Sequence, residues 1–285
     1  MIVSQRGDHG SEVDFYRPED LHALFDTLQN SPRDTLLLGG GMTAMPYLNR
    51  NEWSTSCIIS LSRVAELRGI QVSATTLRIG ASTTHTQLAE SAEVSAHCPV
   101  LAVAAGSIGD LQVRNRGTIG GVVAFANSGA DYLTVLTALD AVVILRSAHG
   151  SRRMPVRDFL TDSRSTALAA GEVVEAVEVA CDPSRRARYL RLTRIQGAPP
   201  VLTVAAVAGR QQQTLSIGGA TPTPTLLGRK VFDAEAHEVR DLVLSAVADP
   251  AGEAHAPRRY RRHMAAEYSV RVLKELADSL EEAHS

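Results

Sequence analysis

Two glycine-rich segments contain the residues of this chain that are best suited to binding a charged group. The first glycine loop is Gly39-Gly40-Gly41-Met42-Thr43, which directly follows a run of three leucines. The second glycine loop is Thr118-Ile119-Gly120-Gly121-Val122, which follows a polar Arg-Asn-Arg approach and a further glycine. Glycine has no Cβ and tolerates unusual backbone angles, so N–H groups in such segments can approach an anion closely. Two such loops in one domain predict the two halves of a pyrophosphate cradle.

Other common motifs for phosphate, acyl and metal chemistry do not occur in the sequence. No G-x-G-x-x-G follows the first strand and no G-K-[ST] is present, which disfavours a Rossmann site and a nucleotide-hydrolysing P-loop. Hydrolytic catalysis has no support because there is no G-x-S-x-G elbow. The nine histidines include no pair that stands out at metal-ligand spacing. We therefore predict no catalytic residue and no metal ligand in this chain.

Composition indicates a globular protein of one large domain or two ordinary ones. The 285 residues are 44% hydrophobic and 21% charged, with a formal net charge of −2 and only 4% aromatic residues. This balance gives no reason to expect nucleic acid or an anionic membrane as the main partner. The N-terminus has no apolar core after a basic start, and no run of about 18 apolar residues occurs. We expect a cytoplasmic protein with neither a signal peptide nor a membrane span.

The three cysteines cannot hold an iron–sulfur cluster by themselves. Cys57, Cys98 and Cys181 lie far apart and show no C-x-x-C spacing. Such a cluster needs about four thiolates. Small buried side chains in a reducing cytosol are the ordinary interpretation of these cysteines.

The elements that must position the two loops follow from periodicity and turn signals. Apolar residues on one face predict a first helix that opens at Pro18, and strands on either side of the first glycine loop complete a small β-α-β lobe. Thr84 is predicted to cap a helix that follows it. The segment 183–186 is predicted to be a domain boundary. Strands are predicted over 35–38, 57–61, 69–72, 77–80, 141–145, 173–180, 188–194, 201–208 and 214–217, and helices over 99–107, 132–139, 234–247 and 257–282.

The loops also carry a family resemblance. The segments LLGGGMTAMP and QVRNRGTIGG are similar to the two FAD-binding loops in the flavoprotein (medium) subunit of molybdenum hydroxylases, the carbon monoxide dehydrogenase and xanthine dehydrogenase family. The resemblance continues in the expected order through five further segments: Phe15-Tyr16-Arg17-Pro18, 58–67, LRIGAST from Leu77, DYLTVLTALDA from Asp131, and Tyr260-Arg261-Arg262-His263-Met264. It covers nearly the whole chain.

The resemblance implies an α+β fold with two domains. Residues 10–177 resemble the FAD-binding domain of the p-cresol methylhydroxylase type, with two α/β lobes that meet near residues 60–68. Residues 184–285 resemble the family's C-terminal α+β domain. In the family, the loops hold FAD, so the implied cofactor-binding residues are Gly39, Gly40, Gly41, Met42, Thr43, Thr118, Ile119, Gly120, Gly121 and Val122. Asp131 resembles an aspartate that contacts FAD, although it could equally cap the next helix, and Leu168 resembles an apolar residue beside the flavin, although leucine is ordinarily a core residue.

The implied function is electron transfer by noncovalently bound FAD. In such complexes a molybdenum-cofactor large subunit oxidises the substrate and an iron–sulfur small subunit with [2Fe-2S] clusters carries electrons to the FAD, which delivers them to an external acceptor. This chain resembles only the FAD component, and the basic segment 258–263 is a candidate docking surface for an acidic partner. Two alternatives stay open: a self-contained flavoenzyme with its own small substrate, and a non-catalytic partner that has lost FAD.

Two segments depart from the family pattern. Relatives commonly have A-H-A-D-P after the second glycine loop, where this chain has Ala124-Phe125-Ala126-Asn127-Ser128. Relatives also tend to have an acid close to Gly197, where this chain has Ala198-Pro199-Pro200. In the family these positions lie toward the flavin ring. We therefore expect a ring environment with fewer polar groups than in the relatives.

Overall fold

The computed structural model describes residues 5–6, 12–210, 212–247 and 256–282. The first lobe is a small sheet in the order β1-β2-β4-β3, in which β2, β4 and β3 are parallel and β1 pairs antiparallel with β2. Its elements are β1 (Gln5–Arg6), β2 (Glu12–Tyr16), α1 (Leu21–Gln29), β3 (Leu36–Leu38), α2 (Ala44–Asn49) and β4 (Cys57–Ser60).

The first helix begins later than the sequence predicts. Asp20 accepts a hydrogen bond from the backbone N–H of Ala23 at 2.7 Å and thereby caps α1, so the helix begins at Leu21 and Pro18 lies outside it. The carboxylate satisfies a donor that the first turn leaves free, which outweighs the preference of proline for a first-turn position. Leu24 and Phe25 are the buried residues on the inner face of α1.

The second lobe is an antiparallel sheet in the order β5-β6-β11-β7-β8, covered by helices. Two 3₁₀ turns, Leu61–Arg63 and Ala65–Leu67, connect it to the first lobe. Its elements are β5 (Ile70–Val72), β6 (Thr76–Gly80), α3 (His85–Glu90), α4 (Ala92–His97), α5 (Pro99–Ser107), α6 (Leu111–Arg116), α7 (Ile119–Phe125), α8 (Asp131–Ala138), β7 (Val142–Ser147), β8 (Gly150–Pro155), α9 (Val156–Phe159), β9 (Leu160–Asp162), β10 (Ser165–Thr166) and β11 (Val173–Ala180).

Three short helices lie where the sequence suggests loops or breaks. Pro46 lies in the first turn of α2, where its missing N–H breaks no intrahelical bond, so the helix accommodates it. The polar approach to the second glycine loop is α6, capped by Asp110. The second glycine loop itself is the beginning of α7, with Thr118 as the N-cap. Short helices of six or seven residues have too few apolar repeats to give a clear periodicity.

The C-terminal part has strands followed by two helices, as the sequence predicts, and the strands form an antiparallel meander. The strands pair in the order β12-β13-β14-β15, and α11 packs against β12 and β13. The connection from β11 is short, because β12 begins only six residues after Ala180 ends β11. The elements are β12 (Arg186–Leu192), β13 (Leu202–Ala208), β14 (Gln213–Gly218), β15 (Thr225–Leu227), the 3₁₀ turn Arg229–Val231, α10 (Ala236–Ala246) and α11 (Arg258–Glu282).

Helix α8 joins the second lobe to this meander. It packs against β13 and β14, and the hydroxyls of Thr134 and Thr203 form a buried hydrogen bond of 2.6 Å. All eight residues of α8 are buried. A helix that is buried on every side is shared between two packing layers. The position of the domain boundary, between 177 and 184, stays a prediction.

Candidate cofactor-binding site

A cavity of about 420 Å³ lies between the two glycine loops. This volume is within the range of about 300–1,000 Å³ that is usual for small-molecule sites. The cavity walls come from both lobes, since β3 and the first glycine loop face α7 and β11. Ten of the twelve residues that the sequence nominated line the cavity: Gly39, Gly40, Gly41, Met42, Thr43, Thr118, Gly120, Gly121, Val122 and Leu168.

The first glycine loop lines this cavity and keeps its backbone N–H groups free of protein partners in the described part of the chain. Within the described part of the chain, none of the five N–H groups of residues 39–43 donates a hydrogen bond to protein. Gly41 has a φ of +77°, a left-handed conformation that turns the chain sharply between β3 and α2. Successive unpaired N–H groups in a turn form a concave, electropositive surface that binds anions. The loop therefore has the chemistry of an oxyanion or phosphate site.

The second glycine loop is built differently from the first. Its N–H groups are not left uncovered, because they bond within the protein: Ile119 donates to the Thr83 carbonyl at 3.1 Å, Gly120 to the Ala81 carbonyl at 2.9 Å, and Gly121 to Thr118 Oγ1 at 3.2 Å. These bonds cap α7 and tie it to the segment before α3. The loop thus forms a cavity wall rather than a second set of free donors, and the cofactor-binding role of its residues stays a prediction.

Close packing between the loops explains why glycine is needed. A Cβ on Gly40 would lie 1.8 Å from the Arg116 carbonyl oxygen, and a Cβ on Gly39 would lie 2.9 Å from Thr118 Oγ1. A Cβ on Gly120 would lie 2.4 Å from the Cβ of Ala81. These glycines let the two loops and β6 approach to backbone contact. The first loop is thereby fixed at the edge of the cavity by the second.

Asp131 and Ile119 do not line the cavity. Asp131 is 5% exposed, forms an ion pair with Arg191 Nε at 3.0 Å and accepts a hydrogen bond from the Tyr189 hydroxyl, both on β12. The alternative role as a helix cap is not observed, because Ala130 is the N-cap of α8 and Asp131 is its first residue. Asp131 therefore connects α8 to the C-terminal meander, and a contact with FAD stays a prediction. Ile119 is fully buried in the core of the second lobe.

Phe125, the residue that replaces the family's histidine, belongs to an aromatic cluster at the cavity wall. Its ring lies 6.0 Å from that of Trp53, which stacks on Tyr47 at 4.5 Å with an interplanar angle of 9°. The guanidinium of Arg164 lies 5.5 Å over the Phe125 ring. Trp53 and Phe125 both line the cavity. The cluster joins α2 to the end of α7 and gives this wall an apolar, aromatic surface.

His85 is a cavity residue that the sequence analysis did not single out. It is 2% exposed, and its Nδ1 lies 3.0 Å from the Tyr132 hydroxyl. Burial, with a smaller contribution from the positive charge of Arg114, lowers its pKa to about 4, so the ring is neutral at physiological pH. The available signal was the helix cap at Thr84, which fixes His85 as the first residue of α3. The contact with Tyr132 exists only in the folded chain.

The basic segment at the start of α11 is less available for docking than the sequence indicates. Arg261 is 2% exposed and donates to the Gly219 carbonyl at 2.6 Å, while Arg262 donates to the Leu244 carbonyl at 2.9 Å. Tyr260, directly before Arg261, is 44% exposed. Two arginines of the basic segment therefore hold α11 against the meander and α10.

Over residues 5–6, 12–210, 212–247 and 256–282, no three His, Cys, Asp or Glu side chains come together as a metal site. In the same part of the chain, no helix has both the length and the hydropathy needed to cross a bilayer.

The chain is similar in sequence and in structure to FAD-binding subunits of known dehydrogenases. The profile of the family described as "FAD binding domain in molybdopterin dehydrogenase" matches residues 11–180. The chain is 29% identical over 279 residues to the glyceraldehyde dehydrogenase medium chain of Sulfolobus acidocaldarius, covering 93% of this chain and 99% of the relative. It is 30% identical over 273 residues to the carbon monoxide dehydrogenase medium chain of Hydrogenophaga pseudoflava, covering 91% and 95%. A solved chain of carbon monoxide dehydrogenase from Hydrogenophaga pseudoflava superimposes with a TM-score of 0.85 at 27% identity, covering 93% and 97%.

Proposed function

Because the chain belongs to the family of FAD-binding domains of molybdopterin dehydrogenases and is an oxidoreductase subunit, we propose that it transfers electrons within a molybdenum hydroxylase. In this proposal it accepts electrons from the iron–sulfur clusters of a small subunit and passes them to an external acceptor. A large subunit with the molybdenum cofactor oxidises the substrate. FAD supplies the redox chemistry when bound, and this chain holds and orients it noncovalently.

The observation that carries the proposal is the row of unpaired N–H groups in the first glycine loop. Five consecutive unpaired donors on a loop that lines a cavity of about 420 Å³ suit the oxygens of a diphosphate. Thr118 and Gly121 line the opposite side of the cavity, and a Cβ on Gly121 would lie 3.0 Å from Thr118 Oγ1. We therefore assign the diphosphate of FAD to residues 39–43 and give residues 118–122 the role of the facing wall.

The remaining cavity surface favours electron transfer over chemistry on a substrate of its own. Apart from His85, the lining contains no titratable side chain among the described residues, and His85 is neutral and bonded to Tyr132. A self-contained flavoenzyme usually needs a polar or titratable group that accepts or donates the substrate's proton. Leu168, Phe125 and Ile108 give the cavity apolar walls instead.

A location in the reducing cytoplasm belongs to the same proposal. All three cysteines are free, and Cys57 and Cys98 are buried. Thiols that remain reduced are usual for proteins of that compartment.

Purification from the native source tests the assignment. The chain should co-purify with two partners, one larger and one smaller, at equal stoichiometry. The complex should contain iron and molybdenum, and acid precipitation should release FAD from it. The chain expressed alone should bind FAD but oxidise no small-molecule donor. Turnover of such a donor by the isolated flavoprotein would replace the proposal with a self-contained flavoenzyme. Failure of the isolated chain to bind FAD would instead indicate a partner that has lost its cofactor.

A further inference from the structure

We propose that His85 is a cofactor-binding residue whose Nε2–H donates a hydrogen bond to an oxygen of bound FAD, and that Tyr132 holds its imidazole in the required tautomer. The inference deepens the proposed function and depends on FAD being the ligand of the cavity. It adds a donor on the wall opposite the first glycine loop, where the backbone N–H groups of the second glycine loop are already bonded within the protein.

The position of the ring supports a contact with the ligand. His85 lines the cavity together with Gly117, and a Cβ on Gly117 would lie 2.5 Å from Nε2. Only glycine at position 117 therefore leaves room for the His85 ring at this wall. The backbone N–H of His85 donates to the Gly117 carbonyl at 3.0 Å, which fixes the two residues relative to each other.

The protonation pattern of the ring follows from its surroundings. In the described part of the chain, the side chain of His85 makes one hydrogen bond, between Nδ1 and the Tyr132 hydroxyl at 3.0 Å. Tyr132 is fully buried, and burial raises the pKa of its hydroxyl well above the ordinary value, so the hydroxyl keeps its proton. That proton has Nδ1 as its acceptor, and a buried hydroxyl without an acceptor costs free energy. Nδ1 is therefore unprotonated and the single ring proton resides on Nε2.

A neutral donor at this position has a specific use. Desolvation keeps the ring uncharged, so Nε2–H can bond an oxygen acceptor without placing a buried cation in the wall. Tyr132 is a positioning residue, since it acts on the ligand only through His85.

Two amide substitutions separate the roles of the two ring nitrogens. In His85→Gln the amide N–H reaches the position of Nε2, whereas in His85→Asn it reaches only the position of Nδ1. Both variants remove the imidazole, and the unfolding midpoints measure how their costs to folding differ. The measurements are the Kd for FAD of the apoprotein, by titration calorimetry, and the thermal unfolding midpoint of each apoprotein. We expect His85→Gln to bind FAD within about 3-fold of the parent chain and His85→Asn to bind about 10-fold more weakly, the equivalent of one hydrogen bond.

A double-mutant cycle tests the positioning role of Tyr132. Tyr132→Phe keeps the ring but frees Nδ1 to carry the proton, so FAD binding by the chain with His85 should weaken several-fold. In the His85→Gln background the same change should leave the Kd unaltered, since no tautomer remains to be fixed. A merely structural role for the pair predicts equal effects in the two backgrounds.

The outcomes separate this inference from the proposed function. Equal Kd values for the Gln and Asn variants, in a parent chain that binds FAD, would overturn the inference and leave the proposed function intact. A weakening that simply follows the unfolding midpoint across all variants would also overturn it. A parent chain that does not bind FAD would remove both.

Discussion

A single methyl group on Gly40 should disrupt FAD binding by separating the two glycine loops. In Gly40→Ala the new Cβ would lie 1.8 Å from the Arg116 carbonyl oxygen and 2.5 Å from its carbonyl carbon. Real contacts of this kind stay above about 3.0 Å, so the loops must move apart by more than an ångström. Both atoms belong to backbone, so no side-chain rotation can relieve the contact. Such overpacking costs about 1–3 kcal/mol of folding free energy.

The larger effect should be on the cofactor. A shift of about an ångström moves the N–H groups of residues 39–43 out of hydrogen-bonding geometry with a diphosphate. Each charge-assisted hydrogen bond contributes about 1.5–3 kcal/mol, so the loss of two weakens binding by about 3–6 kcal/mol, or roughly two to four orders of magnitude in Kd.

The assay is titration of the apoprotein with FAD, together with urea denaturation of the same preparation. Gly228→Ala is the matched control, since a Cβ at that position meets nothing within 4 Å. This control should bind FAD as the parent does. If Gly40→Ala binds FAD within about 3-fold of the parent while the control is also unchanged, the loop contact does not position the N–H groups and the reasoning is refuted.

Three further predictions use the same cavity. Trp53 is the single tryptophan and lines the cavity, so FAD binding should quench the tryptophan emission of the apoprotein, and an unchanged spectrum on saturation would place FAD elsewhere. Gly121→Val should abolish FAD binding without unfolding the chain, because the valine side chain takes up space at the cavity wall. The loss of a free N–H is not the cause, since the Gly121 N–H is already bonded to Thr118. Tight binding of FAD by this variant in titrations would contradict the prediction. The pKa of about 4 for His85, against 6.5 ordinarily, means that the unfolded chain gains a proton first as pH falls, so apoprotein stability should drop by on the order of 3 kcal/mol between pH 6.5 and 4. Urea denaturation across this range should show that drop in the parent and a flatter profile in His85→Gln.

Local signals in the sequence were sufficient for much of the fold. The helix at Pro99–Ser107 and the strand at Val173–Ala180 have the predicted bounds, since proline at a first turn and a run of β-branched residues act through short-range sterics. The cap at Thr84 is confirmed for the same reason, because its partner Gln87 lies three residues away. Helix α7 was missed, since its seven residues include two glycines and offer no clear periodicity.

The sequence motifs and their order along the chain were also sufficient to identify the family. They also located the two glycine loops that line the cavity. They could not say why each glycine is there, because a glycine required by a left-handed turn, by backbone packing or by a ligand has the same letter. Tertiary contacts decided that Gly41 turns the chain, that Gly40 admits the Arg116 carbonyl, and that the N–H of Gly121 is already bonded. They also brought His85 to Tyr132, and joined Asp131 to a strand of the C-terminal meander. Hydrogen-bond partners distant in the chain are chosen by packing of whole elements, so the sequence determined where the cavity lies and the tertiary structure decided which of its atoms remain free to bind.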